Sequence, residues 1–396
     1  MEHKNLYSAV ICIFFCCLAG GGCLLSLLWP RKTFSPSENR YLAERPDFSW
    51  DTFLDGTFGR RYETWLSDQF PFRDQWIGIK TRAEQAVLRD EINHVFIGKD
   101  DYLMNALYPE DLDAELYHRN LDRLRTFSGY ACELLGKEHV RLMLAPSASQ
   151  VLPDRLPPFA SPFDQSVVYE DLAALLPENG STLMVPVLDA LLQAPALSLS
   201  DQEMPLEAYY RTDHHWTSYG AYTAYRAWAE SLGITPLKTG DFSIRTADTD
   251  FLGTVSSRLN IPVKPDSIHL FLPLEEQDYE VSYDGSKETF SSLYTPEALN
   301  TRDKYRVFLD GNHGWTKIIN HSLPQDRKLL IIKDSYAHSF APFASLHFGQ
   351  VHMIDLRYYN GKVSDFMEQQ GITDVLVLYQ IPGFLEDVNL GKLVRF

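Results

Sequence analysis

Two short segments carry the residues whose types and spacing suggest chemistry. The first, Tyr209 to Trp216, reads YYRTDHHW and leads into a predicted helix. In an extended segment residues i and i+2 point the same way, so Asp213 and His215 are predicted to share a side that His214 does not. A carboxylate beside an imidazole fixes its tautomer and stabilises the imidazolium, as a general base requires. The alternative is that Asp213 caps the helix and that the histidines have no catalytic role.

The second segment is a predicted buried strand that ends in polar residues. It runs from Leu329 to Tyr336 and reads LLIIKDSY, and a predicted helix follows it. This pattern places Ser335 at the carboxyl edge of a sheet, where ligands bind in open α/β folds and where the N–H groups at the start of a helix face an oxyanion. In the simpler interpretation, Asp334 or Ser335 is only the N-cap of that helix.

Together, the two segments supply a hydroxyl nucleophile and the groups that activate it. We predict Ser335 as the nucleophile, His215 as its base and Asp213 as the carboxylate that orients the base. Neither a G-x-S-x-G elbow nor a zinc motif competes with them in the sequence. Metal binding by Asp213 with His214 or His215 is an open alternative, although no third ligand has a recognisable spacing nearby. The prediction is that the site uses no metal and no cofactor.

An alternation of strands and helices positions these segments. Short runs of branched aliphatic residues predict strands, and longer amphipathic runs predict helices. The predicted strands are His139 to Ala145, Tyr305 to Leu309, Lys328 to Ile332, Val351 to Leu356 and Val375 to Tyr379. The predicted helices span about 73–91, Asp111 to Leu135, Thr217 to Leu232 and Ala337 to His347. This order is typical of an α/β fold with a mostly parallel sheet and covering helices.

An apolar amino-terminal run indicates a membrane segment. Leu6 to Trp29 contains no charged side chain and is long enough to cross a hydrocarbon core of about 30 Å. The residues after Gly22 remain apolar, which favours an uncleaved anchor over a signal peptide, and a lipobox ending at Cys23 is a further alternative. The charges on either side of the run do not decide its orientation.

Composition and pattern divide the chain into three parts. We predict a cytoplasmic tip and membrane anchor at 1–30, a stalk with an amphipathic helix that packs on the main domain at 31–94, and a catalytic domain at 95–396, in which 236–300 is a candidate inserted lobe. The formal charge is −17, and Cys132 is the one cysteine outside the apolar run. Nucleic acid is therefore not an expected partner, and a disulfide framework or thiolate zinc site is excluded.

Asp213-His214-His215-Trp216 resembles the signature of the DHHW family, which is similar to the SGNH-hydrolase-like proteins of alginate O-acetylation. Further matching pieces follow the anchor in the expected order: Glu38-Asn39-Arg40, Asp68-Gln69-Phe70-Pro71-Phe72-Arg73, Phe96-Ile97-Gly98-Lys99-Asp100, Pro146 to Pro157, Gly311-Asn312-His313 and Lys333-Asp334-Ser335-Tyr336. The resemblance implies an SGNH-hydrolase-like α/β domain outside the cytoplasmic membrane, with a triad of Asp213, His215 and Ser335. The alginate proteins typically have another residue at the position of His214, which leaves His214 open as a substitute base.

The same resemblance implies an O-acetyltransferase of the cell envelope. An acetyl group would pass through an acetyl-serine at Ser335 to a hydroxyl of a cell-surface or exported polysaccharide, and a multispanning membrane O-acyltransferase would supply it. The SGNH pattern also implies an oxyanion site made by the Ser335 or Tyr336 N–H and the Asn312 amide. Arg357 is either a contact for the polymer or a surface salt-bridging residue.

Two other functions stay open at this point. A carbohydrate acetylesterase would use the same triad, since no residue in the sequence distinguishes water from a sugar hydroxyl as the acceptor. A non-catalytic polysaccharide-binding or assembly protein would keep the fold without needing Ser335. The intact set of Asp213, His215 and Ser335 favours an enzyme over the second alternative.

Overall fold

The computed structural model describes residues 2–35, 40–176, 180–199 and 205–395. Glu38 and Asn39, which belong to one of the matching motifs, lie outside these residues. The chain forms two compact units, of which the first comprises residues 1–89 and 257–262 and the second comprises 90–256 and 263–396. The predicted division into anchor, stalk and catalytic domain stays a prediction.

Helices occur in both units. They are α1 (Glu2–Leu28), α2 (Trp50–Leu54), α3 (Thr57–Asp68), α4 (Arg73–Ala86), α5 (Ala114–Leu135), α6 (Ala148–Val151), α7 (Ser166–Leu175), α8 (Val187–Gln193), α9 (Ser218–Ser231), α10 (Thr254–Ser257), α11 (Ala337–Ala344), α12 (Val363–Gln370) and α13 (Ile381–Glu386). The four predicted helices correspond to α4, α5, α9 and α11. Asp113 and Thr217 cap α5 and α9, since their side chains accept the N–H groups of Leu116 and Gly220.

Within the described residues, strands form one large sheet and three small ones. They are β1 (Phe34–Ser35), β2 (Arg40–Tyr41), β3 (Glu91–Ile92), β4 (Val95–Ile97), β5 (Leu103–Asn105), β6 (Val140–Ala145), β7 (Phe242–Phe251), β8 (Asp266–Pro273), β9 (Tyr279–Tyr283), β10 (Trp315–Asn320), β11 (Lys328–Lys333), β12 (Gln350–Ile354) and β13 (Asp374–Gln380). The large sheet has the order β6-β13-β11-β12-β10-β9. Its first four strands are parallel, and β10 and β9 are antiparallel at one edge. The predicted α/β fold with a mostly parallel sheet is confirmed.

Helices cover both faces of the large sheet. Within β11, Leu329 and Ile331 pack into one apolar cluster, whereas Leu330 and Ile332 pack into another. Residues of α9 and α11 belong to the first cluster, and residues of α5, α12 and α13 belong to the second. Because both faces are buried, β11 needs apolar residues at successive positions, which is why its sequence is a continuous aliphatic run.

One predicted strand is wrong. The sequence predicts an extended segment from Tyr305 to Leu309, but Lys304–Val307 forms a 3₁₀ turn. Leu309 follows with a φ of 55°, which no strand residue adopts. Tyr305, Val307 and Phe308 all enter a small apolar cluster, so the segment is apolar because it is buried as a turn. A short apolar run does not by itself distinguish these two cases.

The stretch at 236–300 contains three strands and the short helix α10. β7 and β8 pair with each other as an antiparallel hairpin, whereas β9 pairs with β10 at the edge of the large sheet. The connection between β7 and β8 contains Gly253 and Thr254, which both lie against the segment that carries Asp213. This stretch therefore contributes to the large sheet and to the surroundings of the predicted site.

The amino-terminal helix α1 is long and apolar enough to cross a membrane over Ala9–Leu28. A signal sequence near an amino terminus would meet the same criteria of length and composition. The predicted membrane helix is thus confirmed as a helix of suitable length, and its retention in the mature chain stays a prediction.

Candidate active site

The chain turns sharply through the segment that carries Asp213 and His215. Residues 211–215 form consecutive bends. Asp213 Oδ1 accepts the backbone N–H of His215 at 3.1 Å and lies 2.5 Å from His215 Nδ1. An aspartate that accepts a backbone N–H two residues further on is a common cause of such a turn. The carboxylate and the imidazole therefore meet because the Asp213 side chain folds the loop that carries them both.

The extended conformation predicted for this segment is wrong, and so is the position that it implied for His214. The rings of His214 and His215 lie side by side, with their centroids 3.8 Å apart. His214 Nδ1 lies 2.9 Å from Thr254 Oγ1, whereas His215 Nδ1 faces Asp213. Burial, together with the neighbouring His215, lowers the pKa of His214 to about 4. His214 is consequently neutral near pH 7.

The loop between β7 and β8 holds the Asp213 carboxylate. Thr254 donates its backbone N–H to Asp213 Oδ2 at 2.8 Å and its hydroxyl to the same oxygen at 3.1 Å. Burial acts to raise the pKa of the Asp213 carboxyl, but the imidazoles of His214 and His215 and the hydrogen bonds hold it well below its usual range. Asp213 is thus ionised and in place to stabilise a protonated His215.

Gly253 makes this close packing fit. A Cβ atom at position 253 would lie 2.2 Å from the Cβ of Asp213, nearer than real Cβ atoms come to non-bonded atoms. We expect Gly253→Ala to lower the free energy of unfolding by about 1–3 kcal/mol, as overpacking does, and to lower activity by displacing Asp213. Urea unfolding measures the first effect. Gly240→Ala, with nothing within 4 Å of its added Cβ, is the control. An unchanged unfolding free energy in Gly253→Ala would contradict the contact.

Ser335 reaches the imidazole from the carboxyl end of β11. It lies in the turn between Lys333, where β11 ends, and Ala337, where α11 begins. Its Oγ lies 2.7 Å from His215 Nε2, although the two residues are 120 apart in the sequence. The structure therefore brings Asp213, His215 and Ser335 into one chain of hydrogen bonds. This is the arrangement of carboxylate, imidazole and hydroxyl that nucleophilic catalysis uses.

Two aromatic residues fix the histidines, and sequence reasoning missed the role of the first. The Tyr305 ring stacks on the His215 imidazole at 3.9 Å and 9°, and the Tyr305 hydroxyl lies 3.0 Å from Ser339 Oγ. The Tyr336 hydroxyl donates to the His214 carbonyl at 2.5 Å. Stacking restricts rotation of the imidazole and keeps Nε2 directed at the serine. No sequence signal separates Tyr305 from the other tyrosines of the chain, which has 21.

A second residue that the sequence did not reveal holds the backbone before Asp213. The carboxylate of Asp266, at the start of β8, accepts the N–H of Arg211 at 3.0 Å and the N–H of Thr212 at 2.8 Å. It also accepts the Thr212 hydroxyl at 2.6 Å. Three hydrogen bonds to one buried carboxylate leave this part of the loop little freedom. A lone aspartate that begins a strand has no pattern by which the sequence could reveal such a role.

Of the two backbone N–H groups predicted to bind an oxyanion, one already makes a hydrogen bond within the protein. The Tyr336 N–H donates to Asp334 Oδ1 at 2.9 Å, so the prediction that this group binds an oxyanion is corrected. For the Ser335 N–H, the described part of the chain offers no acceptor. The Ser335 N–H is therefore the candidate oxyanion donor that the structure leaves open. Burial raises the pKa of the neighbouring Asp334 carboxyl to about 6.

Asn312 and Arg357 contact each other instead of Ser335. Arg357 Nη2 donates to Asn312 Oδ1 at 3.2 Å and to the buried Asp355 Oδ2 at 2.6 Å. The Arg357 side chain keeps 37% of its surface exposed, and its charge contributes to the lowered pKa of His214. None of the hydrogen bonds in the described residues joins Asn312 or Arg357 to Ser335. Arg357 is thus a fixed, partly open cation within electrostatic range of the site.

A buried charged group connects the end of β11 to Arg357. Lys333 Nζ lies 2.7 Å from His338 Nε2 and 3.3 Å from Asp355 Oδ2, and its side chain is completely buried. Asp355 therefore binds two cations at once. Burial lowers the pKa of Lys333. Burial also acts to raise the pKa of Asp355, but the nearby Arg357 and Lys333 hold that pKa below its usual range. The turn that carries Ser335 is anchored on this network.

Asp213, His214 and His215 each offer one atom of a type that binds metal ions, a carboxylate oxygen or an imidazole nitrogen. These three atoms lie within 4.8 Å of one another. Asp213 and His215 also form the hydrogen bond between Oδ1 and Nδ1 that leads on to Ser335. The same residues thus suit two uses, metal binding and the chain of hydrogen bonds that ends at Ser335. The contact between Ser335 Oγ and His215 Nε2 belongs to the second use, which needs no metal.

The sequence matches the family model of the DHHW protein over residues 38–118 and 200–354. These ranges include Asp213, His215 and Ser335, and they end before Arg357. No protein with a curated description matches the chain.

Solved structures share the fold. A DHHW family protein from Eubacterium siraeum has 22% sequence identity and a TM-score of 0.58, and the match covers 76% of this chain and 95% of that one. PatB1 from Bacillus cereus has 19% identity and a TM-score of 0.60, with 73% and 97% covered. The O-acetyltransferase domain of AlgJ from Pseudomonas putida has 14% identity and a TM-score of 0.45, with 76% and 98% covered. The shared fold rests on the first two structures, whose TM-scores exceed 0.5, and at their identities the similarity concerns the fold alone.

Proposed function

The chain belongs to the DHHW family, and on that premise we propose that it is a membrane-anchored O-acetyltransferase that acts outside the cytoplasm. It moves acetyl groups onto hydroxyls of a cell-surface or exported polysaccharide through an acetyl-serine at Ser335. Its acetyl donor is supplied by a multispanning membrane O-acyltransferase. The choice of acetyl and of a polysaccharide follows the resemblance to the alginate O-acetylation proteins.

The observation that carries the proposal is the chain of hydrogen bonds from Asp213 through His215 to Ser335. Ser335 Oγ lies 2.7 Å from His215 Nε2, within the range over which a general base takes a proton. The ionised Asp213 holds a proton on His215 Nδ1, which leaves the lone pair of Nε2 for Ser335. The set is complete for nucleophilic catalysis, which supports an enzyme over a binding or assembly protein.

In the first half-reaction, Ser335 Oγ attacks the carbonyl carbon of the acetyl donor and His215 Nε2 takes the hydroxyl proton. The Ser335 N–H donates a hydrogen bond to the carbonyl oxygen and stabilises the negative charge that develops there. Collapse of the intermediate breaks the bond to the leaving group, and His215 returns its proton to that group. The product is the acetyl ester of Ser335.

In the second half-reaction, a sugar hydroxyl takes the place of the leaving group. His215 Nε2 removes its proton while its oxygen attacks the acetyl carbon, and the bond to Ser335 Oγ breaks as His215 protonates that oxygen. Asp213 stabilises the imidazolium in both halves. If water takes the place of the sugar, the same steps give an acetylesterase.

The proposed location of these steps depends on α1. As an uncleaved single-pass anchor, Ala9–Leu28 would hold the rest of the chain at the outer surface of the cytoplasmic membrane, beside the membrane protein that supplies the acetyl group. Protease added to intact, wall-stripped cells is expected to digest the residues after the anchor. Full protection would contradict the orientation, and a mature chain that begins near residue 30 would contradict the anchor.

The test of the reaction is mass spectrometry of both partners. The full chain in detergent is incubated with a chromogenic acetyl ester and quenched with acid, and the peptide with Ser335 is expected to gain one acetyl group. When a polysaccharide fragment is added, this group should appear on the sugar. PatB1 was solved with a sulfonyl adduct, so a sulfonyl fluoride is a second probe, which should react with an activated Ser335 hydroxyl. Hydrolysis without transfer to any sugar would favour the esterase.

A chelator separates the two uses of Asp213, His214 and His215. Because the proposed steps need the Asp213 to His215 hydrogen bond, incubation with EDTA followed by its removal is expected to leave ester cleavage within about twofold of the untreated rate. Loss of activity that added Zn²⁺ restores would show that a metal occupies these ligands instead.

A further inference from the structure

Helix α4 presents apolar side chains to the surface. Phe72, Trp76 and Ile79 are 49%, 53% and 57% exposed. Trp76 and Ile79 are three residues apart in α4, so at 3.6 residues per turn they lie on one face of the helix. Phe72 directly precedes α4 as its N-cap, and together these exposed side chains form an apolar stripe. Val87, just after the end of the helix, is 71% exposed and continues the stripe. A surface helix normally turns such a stripe toward the core, so this arrangement requires an explanation.

The opposite face of α4 is the one that packs. Its buried residues are Gly78 and Thr81. Thr81 Oγ1 donates to the Leu259 carbonyl at 2.8 Å, and a Cβ atom at Gly78 would lie 2.5 Å from the Asn260 carbonyl oxygen. The segment 257–262 belongs to the same compact unit as α4. The packed face of α4 thus consists of small residues that lie against backbone carbonyl groups. The apolar stripe is on the opposite face and stays exposed.

The stripe begins where the apolar helix α1 ends. Trp29 directly follows α1, and its ring lies 4.6 Å from that of Phe72. Gln69 fixes this junction, since it accepts the Lys32 N–H at 3.0 Å and donates to the Lys32 carbonyl at 2.8 Å. A tryptophan at the end of a membrane-spanning helix lies at the interface between lipid and water. Phe72 is consequently at the same depth.

The charges around the stripe fit a lipid surface. Lys80 and Arg82 lie on its two flanks and are both exposed. Long basic side chains beside an apolar stripe reach lipid headgroups while their stems cover apolar surface. Residues 30–89 contain ten basic and nine acidic side chains, a net charge of +1, so the remainder of the chain carries a formal charge of −18. This part of the protein is therefore not repelled by an anionic membrane.

We propose that α4 lies in the interface of the membrane that α1 spans, with Phe72, Trp76 and Ile79 inserted between the lipid headgroups. A helix of 14 residues is about 21 Å long, so it adds a second, lateral attachment to the point of attachment at α1. Two attachments fix the rotation of this unit about α1, which one spanning helix cannot do. The proposal rests on the membrane placement of α1 given above and is independent of acetyl transfer.

Photo-crosslinking tests the position of α4. The full chain is prepared with a benzophenone amino acid in place of Ile79, Leu27 or Phe159 and is inserted into vesicles of phosphatidylethanolamine and phosphatidylglycerol. Leu27, in α1 and 75% exposed, is the positive control, and Phe159, which is fully exposed in the second unit, is the negative one. After irradiation, position 79 is expected to carry at least about tenfold more lipid adduct than position 159, as an interfacial residue should.

Each outcome has one meaning. Lipid adducts at position 27 without adducts at 79 overturn the proposal and leave the anchor intact. The absence of adducts at both positions contradicts the membrane placement of α1 itself. If the variant at 79 forms adducts with another protein in cell membranes and not with lipid, a protein covers the stripe and the proposal fails. Ester cleavage by the same samples reports separately on the function proposed for Ser335.

Discussion

Ser335→Ala is expected to abolish both ester cleavage and acetyl transfer. The variant removes the hydroxyl that lies 2.7 Å from His215 Nε2, and with it the atom that would carry the acetyl group. The members of a triad act as a unit, so the expected loss in kcat/KM is roughly 10⁴-fold or more. The measurement is the release of the coloured alcohol from a chromogenic acetyl ester by the full chain in detergent. Urea unfolding verifies that the variant folds.

A second serine provides the matched control. Ser147 follows β6, which lies in the same parallel part of the sheet as β11. Its Oγ lies 2.9 Å from Ser149 Oγ and accepts the Gln165 side-chain amide at 2.6 Å, so its partners are not imidazoles. Ser147→Ala is expected to keep activity within about threefold of the unaltered chain, because none of the hydrogen bonds of Ser147 in the described residues involves Asp213, His215 or Ser335. Acetylated sugar formed by Ser335→Ala would refute the covalent mechanism.

The large sheet could be predicted from the sequence because each of its parallel strands is recognisable from its own apolar residues. β6, β11, β12 and β13 are buried on both faces, so every position in them favours an apolar residue and the run is visible without knowledge of its neighbours. Tyr305 to Leu309 has the same composition for a different reason, since its side chains enter a small cluster from a 3₁₀ turn. Composition reports burial in both cases and backbone conformation in only one of them.

The candidate site divides in the same way. That Asp213 meets His215 is local, because the two residues are neighbours in the chain and one of them makes the turn. That Ser335 belongs at the same edge follows from its place after a buried strand. The roles of Tyr305 and Asp266 could not be predicted from the sequence. They depend on contacts between segments whose relative positions are fixed only by the complete fold.

His215→Ala is expected to lose activity by roughly 10⁴-fold or more, whereas His214→Ala should lose no more than about tenfold. Only the His215 ring lies between a carboxylate and the serine, with Nδ1 on Asp213 and Nε2 on Ser335. His214 instead bonds Thr254 through Nδ1, and burial holds its pKa at about 4, too low for an efficient base at neutral pH. Ester cleavage by the two variants measures the difference.

Free imidazole separates a lost base from a damaged fold. The ring removed in His215→Ala lay against Tyr305, so imidazole from solution can enter the space and stack there. Added imidazole is expected to restore part of the activity of His215→Ala, with a rate that rises with its unprotonated fraction, and to leave His214→Ala unchanged. The reverse result, with the larger loss and the rescue both in His214→Ala, would make His214 the base. Loss in His215→Ala without rescue, accompanied by a lower unfolding free energy, would instead assign the ring to stability, because Asp213 would then remain buried without its partner.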